Sequence, residues 1–264
     1  MQQIEKLFIP TLGRANNQST YKSIPDKFKP LVTFVICEKE KDLEFFKDKQ
    51  CLITENNIGI AKTRKIIAEN AVNIKYGVLD DDLQFLVRKE KCFKSTEKDF
   101  EDMLKLFSEW LNETNIAVCG MSPNWHPPRN SSFIENATIL CNYFFDGNKL
   151  KVNQIDWDSI RVSEDVHVLM QIFSQGYSNR VSYKYFFNSS EFQNNGGCST
   201  YRTLDLHNNS LLQLKRKFPK YIKLTKGFLN NENLNNQPIL KSTFYFGKLY
   251  RDSQFKIKAK QLFS

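Results

Sequence analysis

The fold is decided by a short apolar run that ends in three acidic residues, Tyr76-Gly-Val-Leu-Asp-Asp-Asp82. The apolar run predicts a buried β-strand that stops where the aspartates begin. In an open α/β sheet, side chains at the carboxyl end of a strand face the ligand crevice. Three adjacent carboxylates repel one another unless water or a cation neutralises them, and hard oxygen ligands suit Mg²⁺ or Mn²⁺. The triplet therefore predicts a metal site; the alternative is an acidic turn that caps a following helix.

Strand and helix patterns alternate on both sides of the triplet. We predict strands over residues 6–10, 31–37, 51–54, 76–79 and 116–120, and helices over 38–47, 58–71 and 96–110. Asn56 and Asn57 are expected to cap the second of these helices. The alternation predicts an α/β fold with a mostly parallel, doubly wound sheet flanked by helices.

The pattern changes after residue 120. We predict one or two antiparallel strands within 133–145, a helix over 164–175 capped by Ser163, and a strand over 180–188. A turn at 194–197, a helix over 203–217 and an exposed loop at 230–237 follow. We assign residues 1–190 to a catalytic core and residues 191–264 to a basic C-terminal segment packed on it.

The positive charge is concentrated near the C-terminus. The chain has 264 residues and a formal net charge of +9. Residues 213–264 contain twelve Lys and Arg against two acidic residues, which gives +10 there and about −1 for the remaining chain. Such asymmetry favours an anionic partner such as nucleic acid. The alternative is a solvated, lysine-rich surface.

Several classes of protein are disfavoured by composition. No apolar run approaches the roughly 18 residues that a membrane span needs, and residues 1–10 do not resemble a signal peptide. The six cysteines show no Cys-x-x-Cys spacing, which argues against a zinc ribbon. We therefore expect a cytoplasmic protein with reduced thiols and no membrane partner.

Two further groups of polar residues are candidates for chemistry. Five residues follow predicted strands and are expected to meet over one crevice, where they would hold phosphates and a ribose or base: Thr11, Arg14, Glu38, Asn57 and Arg64. Glu164 and Asp165 begin a predicted helix, and either carboxylate could act as a general base. The alternative for this pair is ordinary helix capping, because acidic residues are favoured at helix N-termini.

The chain resembles glycosyltransferases of the GT-A type. The motifs that carry the resemblance are Ile9-Pro-Thr-Leu-Gly-Arg14, Asn57-Ile-Gly-Ile-Ala-Lys-Thr-Arg64, Val78-Leu-Asp-Asp-Asp82 and Ser163-Glu-Asp165. The resemblance implies a GT-A fold and a nucleotide-sugar donor, with a UDP-sugar as the expected donor. It implies that Asp80 and Asp82 hold Mn²⁺ or Mg²⁺. Around the donor it places Asp81 and the five residues that follow predicted strands, Thr11, Arg14, Glu38, Asn57 and Arg64. Asp165, or alternatively Glu164, would deprotonate the acceptor hydroxyl.

More narrowly, the chain resembles phage glycosyltransferases associated with TET/JBP-type base hydroxylases. This resemblance uses Ser163-Glu-Asp165 with Gly176-Tyr177, Gly196-Gly-Cys-Ser199 with Arg202, and Phe218-Pro219. It implies transfer of a sugar to hydroxymethylated pyrimidines in DNA, with duplex DNA as the expected acceptor. If the chain is phage-encoded, the reaction would take place in the host cytoplasm. The residues expected to contact the acceptor are Trp125, His126, Arg129, Gly197 and Arg202. The basic C-terminal stretch would then bind the DNA backbone.

Two alternatives remain at this point. The same glycosyltransferase chemistry could act on a glycan, lipid or protein, in which case activity would not depend on DNA. A metal-dependent nuclease or a non-catalytic DNA-binding protein would use the aspartates for another purpose. The three histidines share no metal-ligand spacing; His167 and His207 are weak candidates for a further metal ligand.

Overall fold

The apolar run before the three aspartates forms a fully buried strand, β4, over Lys75–Leu79. The computed structural model describes residues 3–126, 131–189, 203–228 and 238–262. The other strands are β1 Ile4–Pro10, β2 Val32–Cys37, β3 Cys51–Thr54, β5 Leu83–Arg88, β6 Cys92–Lys94, β7 Ile116–Pro123, β8 Phe133–Glu135, β9 Asn142–Asp146, β10 Ser178–Ser189, β11 Ile222–Phe228 and β12 Pro238–Phe244. The helices are α1 Ser19–Ser23, α2 Gly59–Asn70, α3 Glu97–Asn112, α4 Glu164–Ser174, α5 Leu204–Lys217 and α6 Phe246–Leu262.

One large mixed sheet organises the fold. Its strand order is β3-β2-β1-β4-β9-β7-β10-β5-β6, with β8 paired to β10. β1, β2, β3 and β4 pair in parallel, and so do β7 and β10. β9 lies antiparallel between β4 and β7, which gives β4 and β7 the same direction. The expected α/β architecture, a mostly parallel sheet flanked by helices, is confirmed.

The hydrophobic core lies on both faces of this sheet. On one face α3 buries Phe100, Met103, Leu104, Phe107 and Leu111, the residues whose helical spacing predicts an amphipathic helix. The helix begins after Thr96, whose hydroxyl accepts a hydrogen bond from the Asp99 amide in a capping box. On the other face α4 packs with residues of the C-terminal segment, among them Leu211, Ile222, Phe246 and Leu249.

The predicted helix over residues 38–47 is wrong. The structure has two 3₁₀ turns there, Glu38–Glu40 and Glu44–Phe46. Only Glu40 and Phe46 are buried in these turns, so the segment has no apolar stripe that could hold a helix against the sheet. The Glu40 carboxylate instead accepts the Gly13 amide at 2.7 Å, which fixes the first turn by a tertiary contact.

Two predicted helix caps are also wrong, although both helices exist. Asn57 has a φ of 61° and α2 begins two residues later without a side-chain cap. Asn56 accepts the Lys39 amide through its Oδ1 atom. Ser163 precedes α4 with a φ of 63° and its side chain makes no capping hydrogen bond.

The element that follows the three aspartates is strand β5, which forms a hairpin with β6. The alternative interpretation of the triplet as a helix cap is therefore wrong. The predicted antiparallel strands within 133–145 are confirmed as β8 and β9, and the strand over 180–188 as part of β10.

The basic C-terminal segment has its own small sheet. Helix α5, predicted over 203–217, is followed by the antiparallel pair β11–β12 and by α6, which packs on α4. Among the described residues, no helix has both the length and the apolar character needed to cross a membrane. The turn predicted at 194–197 and the loop at 230–237 lie outside the described residues.

Candidate active site

The three aspartates lie at the carboxyl end of β4 in a turn that other segments hold. The Asp80 amide donates to the Cys141 carbonyl at 2.8 Å. Thr20 binds the turn from the opposite side: its hydroxyl donates to the Asp80 carbonyl and accepts the Leu83 amide at 2.8 Å, and its amide donates to the Asp81 carbonyl. This frame fixes the directions in which successive carboxylates point.

Asp81 points into the protein. Its Oδ2 atom accepts the Thr11 hydroxyl at 2.6 Å, and its Oδ1 atom accepts Nη1 of Arg14 at 2.6 Å. Gln18 donates to Thr11 at 2.8 Å and extends the network. Asp81 is only 4% exposed, so the structure shows it joining the first strand's loop to the β4 turn. Thr11 and Arg14, two of the expected donor-binding residues, are brought to this same edge.

Asp80 and Asp82 are half-buried, whereas Asp81 is buried. Burial raises the pKa of Asp80 to about 6; Arg64 opposes this shift, and the charges of Asp82 and Asp81 add to it. Burial also raises the pKa of Asp82, with a further contribution from Asp81 and an opposing one from Arg14. The two carboxylates are therefore short of compensating positive charge.

This donor set fits a cation that is shared with a phosphate ligand. Within the described residues, no three His, Cys, Asp or Glu side chains are grouped so as to hold a metal ion. Mg²⁺ commonly uses one or two carboxylates and takes its other ligands from substrate phosphates and water. Two carboxylates with raised pKa values at a crevice provide that arrangement, because a cation would stabilise their charged forms.

Arg64 connects α2 to the start of α4. Its Nη1 atom lies 2.6 Å from Oε1 of Glu164, its Nη2 atom lies 3.7 Å from Oδ1 of Asp80, and its guanidinium lies 5.0 Å from the centre of the Tyr143 ring. Burial lowers the pKa of Arg64, but the nearby Glu164, Tyr143 and Asp80 raise it more, so the guanidinium stays charged. Glu164 is buried, and its carboxylate pairs with the Arg64 guanidinium.

Asp165 lies beside Glu164 but has different partners. Its Oδ2 atom accepts the Tyr143 hydroxyl at 3.2 Å, and its Oδ1 atom accepts the Val166 amide at 2.8 Å. Burial, and then the charge of Asp165, raise the pKa of Tyr143, so this hydroxyl stays protonated and can donate. Asp165 is half-buried, whereas Glu164 is buried.

The other two expected donor-binding residues are exposed at the same edge. Glu38 follows β2 and pairs with Lys41 at 2.5 Å, and Asn57 precedes α2. Glu40, which sequence analysis did not single out, is the acidic residue that binds the first loop through Gly13. Cys141 was also missed: its carbonyl accepts the Asp80 amide, and its φ is 60°. Neither had a distinguishing sequence signal.

The expected acceptor loop is only partly described. Trp125 is 52% exposed and its ring lies 6.2 Å from that of Phe187. Arg88 holds the start of the loop, because it donates to the Tyr183 carbonyl at 2.7 Å and to the His126 carbonyl at 3.0 Å. The remaining acceptor candidates, Arg129, Gly197 and Arg202, lie outside the described residues.

The two histidines considered as further metal ligands, His167 and His207, contact residues of the C-terminal segment. His167 is 1% exposed, and its ring lies 6.2 Å from the Phe218 ring. The Nε2 atom of His207 lies 3.2 Å from the Leu240 carbonyl oxygen in the C-terminal segment.

Comparison with known proteins shows which class of protein this chain belongs to. The model of the TET-associated glycosyltransferase family matches residues 5–197. The beta-glucosyl-HMC-alpha-glucosyl-transferases of Enterobacteria phages T6 and T2 are each 24% identical over 230 residues, which cover 80% of this chain and 80% of each relative. A crystal structure of S. aureus TarS 1–349 has a TM-score of 0.47 and 13% identity, and the match covers 80% of this chain and 65% of that one.

The family match spans the sheet, the three aspartates and the start of α4. The protein is a glycosyltransferase. It belongs to the TET-associated glycosyltransferase family, which the resemblance in the sequence had indicated.

Proposed function

We propose that the protein transfers a sugar from a UDP-sugar to the hydroxymethyl group of a modified pyrimidine in phage DNA, with Mn²⁺ or Mg²⁺ as cofactor. The observation that carries the proposal is the family match over residues 5–197. The phage relatives, whose names contain beta-glucosyl-HMC, support a base derived from a hydroxymethylated pyrimidine as the class of acceptor. The net charge of +10 over residues 213–264 supports an anionic macromolecule as partner.

The donor would lie over the carboxyl ends of β1, β2 and β4. Asp80 and Asp82 would hold the metal ion, which supplies positive charge to stabilise the departing diphosphate. Arg14 and Arg64 flank these carboxylates, and each is fixed by a buried acidic partner, Asp81 or Glu164. Their charges are therefore positioned before the donor binds, so they stabilise the diphosphate without reorganising.

Asp165 would remove the proton from the acceptor hydroxyl. It lies on the same helix turn as Glu164, but Glu164 is neutralised by Arg64 at 2.6 Å. A carboxylate held by a guanidinium is a weaker base than one held by a phenol and an amide, because the cation stabilises its ionised form more. Tyr143 orients Asp165 through its hydroxyl. Trp125 would stack against the acceptor base once that base leaves the helix.

The names of the phage relatives favour a second acceptor, a base that already carries glucose. In that reaction the attacking group is a sugar hydroxyl rather than the hydroxymethyl group. The roles of Asp80, Asp82 and Asp165 are unchanged, since only the acceptor differs.

The test is a transfer assay with labelled UDP-sugars, Mn²⁺ and three duplexes: unmodified, hydroxymethylated, and glucosylated at the hydroxymethyl group. Digestion to nucleosides and mass spectrometry identify the product. We expect label on one of the two modified duplexes and none on the unmodified duplex. Label only on a glycan, lipid or protein acceptor, or strand scission without sugar transfer, contradicts the proposal.

A further inference from the structure

The C-terminal segment contains a cleft that the reaction does not use. It has a volume of about 430 Å³ and lies between the turn after α5 and one face of α6. The turn supplies Lys217, Phe218, Pro219, Lys220 and Tyr221, and α6 supplies Asp252, Phe255 and Lys256. Phe255 and Lys256 lie three and four residues after Asp252, so all three side chains are on the same face of α6.

The two walls of the cleft are fixed by polar contacts. Lys215 donates to the carbonyls of Pro219 and Ile222, both at 2.6 Å, which shapes the turn. The Tyr221 hydroxyl donates to Asp252 at 3.0 Å and joins the turn to α6. Gln254 donates to the Gly176 carbonyl at 2.6 Å and joins α6 to the end of α4. The cleft therefore keeps its shape without a ligand.

The lining of the cleft combines positive charge with an exposed aromatic ring. Phe255 is 72% exposed, more than any other large apolar side chain in the described part of the chain. Three lysines surround it against one acidic residue, Asp252, which already accepts the Tyr221 hydroxyl. Lys217 also pairs with Asp156 at 2.8 Å, so Lys220 and Lys256 contribute most of the excess charge.

This combination matches the chemistry of a nucleic-acid strand. Lysine ammonium groups neutralise phosphates, and an exposed aromatic face stacks on an unpaired base of any sequence. We propose that this cleft binds the acceptor DNA strand beside the reacting base, with phosphates on Lys220 and Lys256 and one base on Phe255. The proposal rests on the proposed function, because it takes DNA as the acceptor.

The cleft lies along the helix that begins the catalytic site. The Phe218 ring lies 6.2 Å from that of His167, two residues after Asp165 on α4. α4 has 11 residues, about 16 Å at 1.5 Å per residue, and α6 contacts its far end.

Fluorescence anisotropy with a labelled hydroxymethylated duplex tests the proposal. We expect Phe255→Ala to weaken binding about tenfold, the loss typical of one base-stacking contact. We expect the double variant Lys220→Ala/Lys256→Ala to reduce the slope of log Kd against log salt by about two. Matched controls are Phe93→Ala, an exposed ring on β6, and Lys47→Ala/Lys98→Ala, two exposed lysines far from the C-terminal segment in sequence.

Further measurements separate the possible failures. Heparin is the probe for a general polyanion surface: we expect Phe255→Ala to leave heparin binding unchanged, and an equal loss for heparin and DNA overturns the stacking contact. Wild-type protein that transfers sugar to DNA while all variants bind DNA equally overturns the cleft proposal and leaves the proposed function intact. Wild-type protein that neither binds nor modifies DNA overturns both.

Discussion

Nη1 of Arg64 lies 2.6 Å from Oε1 of Glu164, and this contact joins α2 to α4 across 100 residues of sequence. Both side chains are nearly inaccessible, with 10% and 7% exposure. The ion pair fixes Arg64 beside Asp80 and the start of α4 beside the end of β4. The ion pair is therefore both a connection between two helices and part of the electrostatic environment of Asp80.

Glu164→Ala is expected to lower the free energy of unfolding by about 3–5 kcal/mol, because it leaves a buried guanidinium without its main partner. Urea unfolding measures the change. Asp158→Ala is the matched control: it removes a 3.3 Å pair with Lys65 between the same two regions, but that pair is about one-third exposed. The control should lose less than about 1 kcal/mol. Equal losses would contradict the role given to the Arg64 pair.

Neighbouring aspartates are expected to respond differently to removal. Asp81→Ala should destabilise the protein by about 3 kcal/mol, since it leaves Arg14 largely buried without its closest partner. Asp82→Ala should leave stability unchanged or slightly higher, because burial and Asp81 disfavour its charged form. Asp82→Ala should lower kcat about 100-fold or more and retain DNA binding. Transfer assays and urea unfolding, run on both variants, distinguish the two roles; full activity of Asp82→Ala would refute the metal role.

Asp165→Asn is expected to reduce kcat by about 10²–10⁴-fold, the range for loss of a general base, with little change in donor affinity. Tyr143→Phe removes the hydroxyl that lies 3.2 Å from Asp165 and 2.9 Å from the Ile139 carbonyl oxygen, so it should reduce kcat less and keep the same KM for the donor. Steady-state kinetics and donor titration measure these effects. If Glu164→Gln lowered kcat more than Asp165→Asn, the base would be Glu164.

His167 is expected to make the protein sensitive to acid. Burial lowers its pKa from 6.5 to about 4, so the folded state disfavours the proton that the unfolded state accepts. The stability that results is present above pH 6.5 and is lost as the pH falls from 6.5 towards 4. The loss at pH 5 should be about 2 kcal/mol. His167→Leu should remove this part of the pH dependence in urea unfolding; an unchanged slope would mean that His167 titrates normally.

The sequence predicted the elements that local patterns specify. The apolar strand before Asp80 and the amphipathic spacing of α3 each lie within one segment, and the structure confirms the elements they predicted. The region 38–47 failed because its charged residues have helical propensity but no apolar face. Propensity alone rarely holds a helix of that length.

The parts that the sequence did not predict depend on distant contacts. Glu38 and Glu40 are equivalent in local sequence, and only the approach of the Gly13 amide distinguishes Glu40. Arg64 and Glu164 were both singled out, but nothing in the sequence indicated that they pair. Sequence patterns also gave no sign that β9 enters the sheet between β4 and β7, since strand order is set by tertiary packing.

The position of β9 limits how this enzyme can be assembled and divided. β4 and β7 are hydrogen-bonded to β9 and not to each other. A chain made only as far as residue 123 lacks both β9 and β10, so β7 has neither of its neighbours in the sheet. Residues 142–146 must therefore be synthesised before β4, the strand that precedes Asp80, can pair with its second neighbour in the sheet. The two sides of the sheet therefore depend on each other through β9.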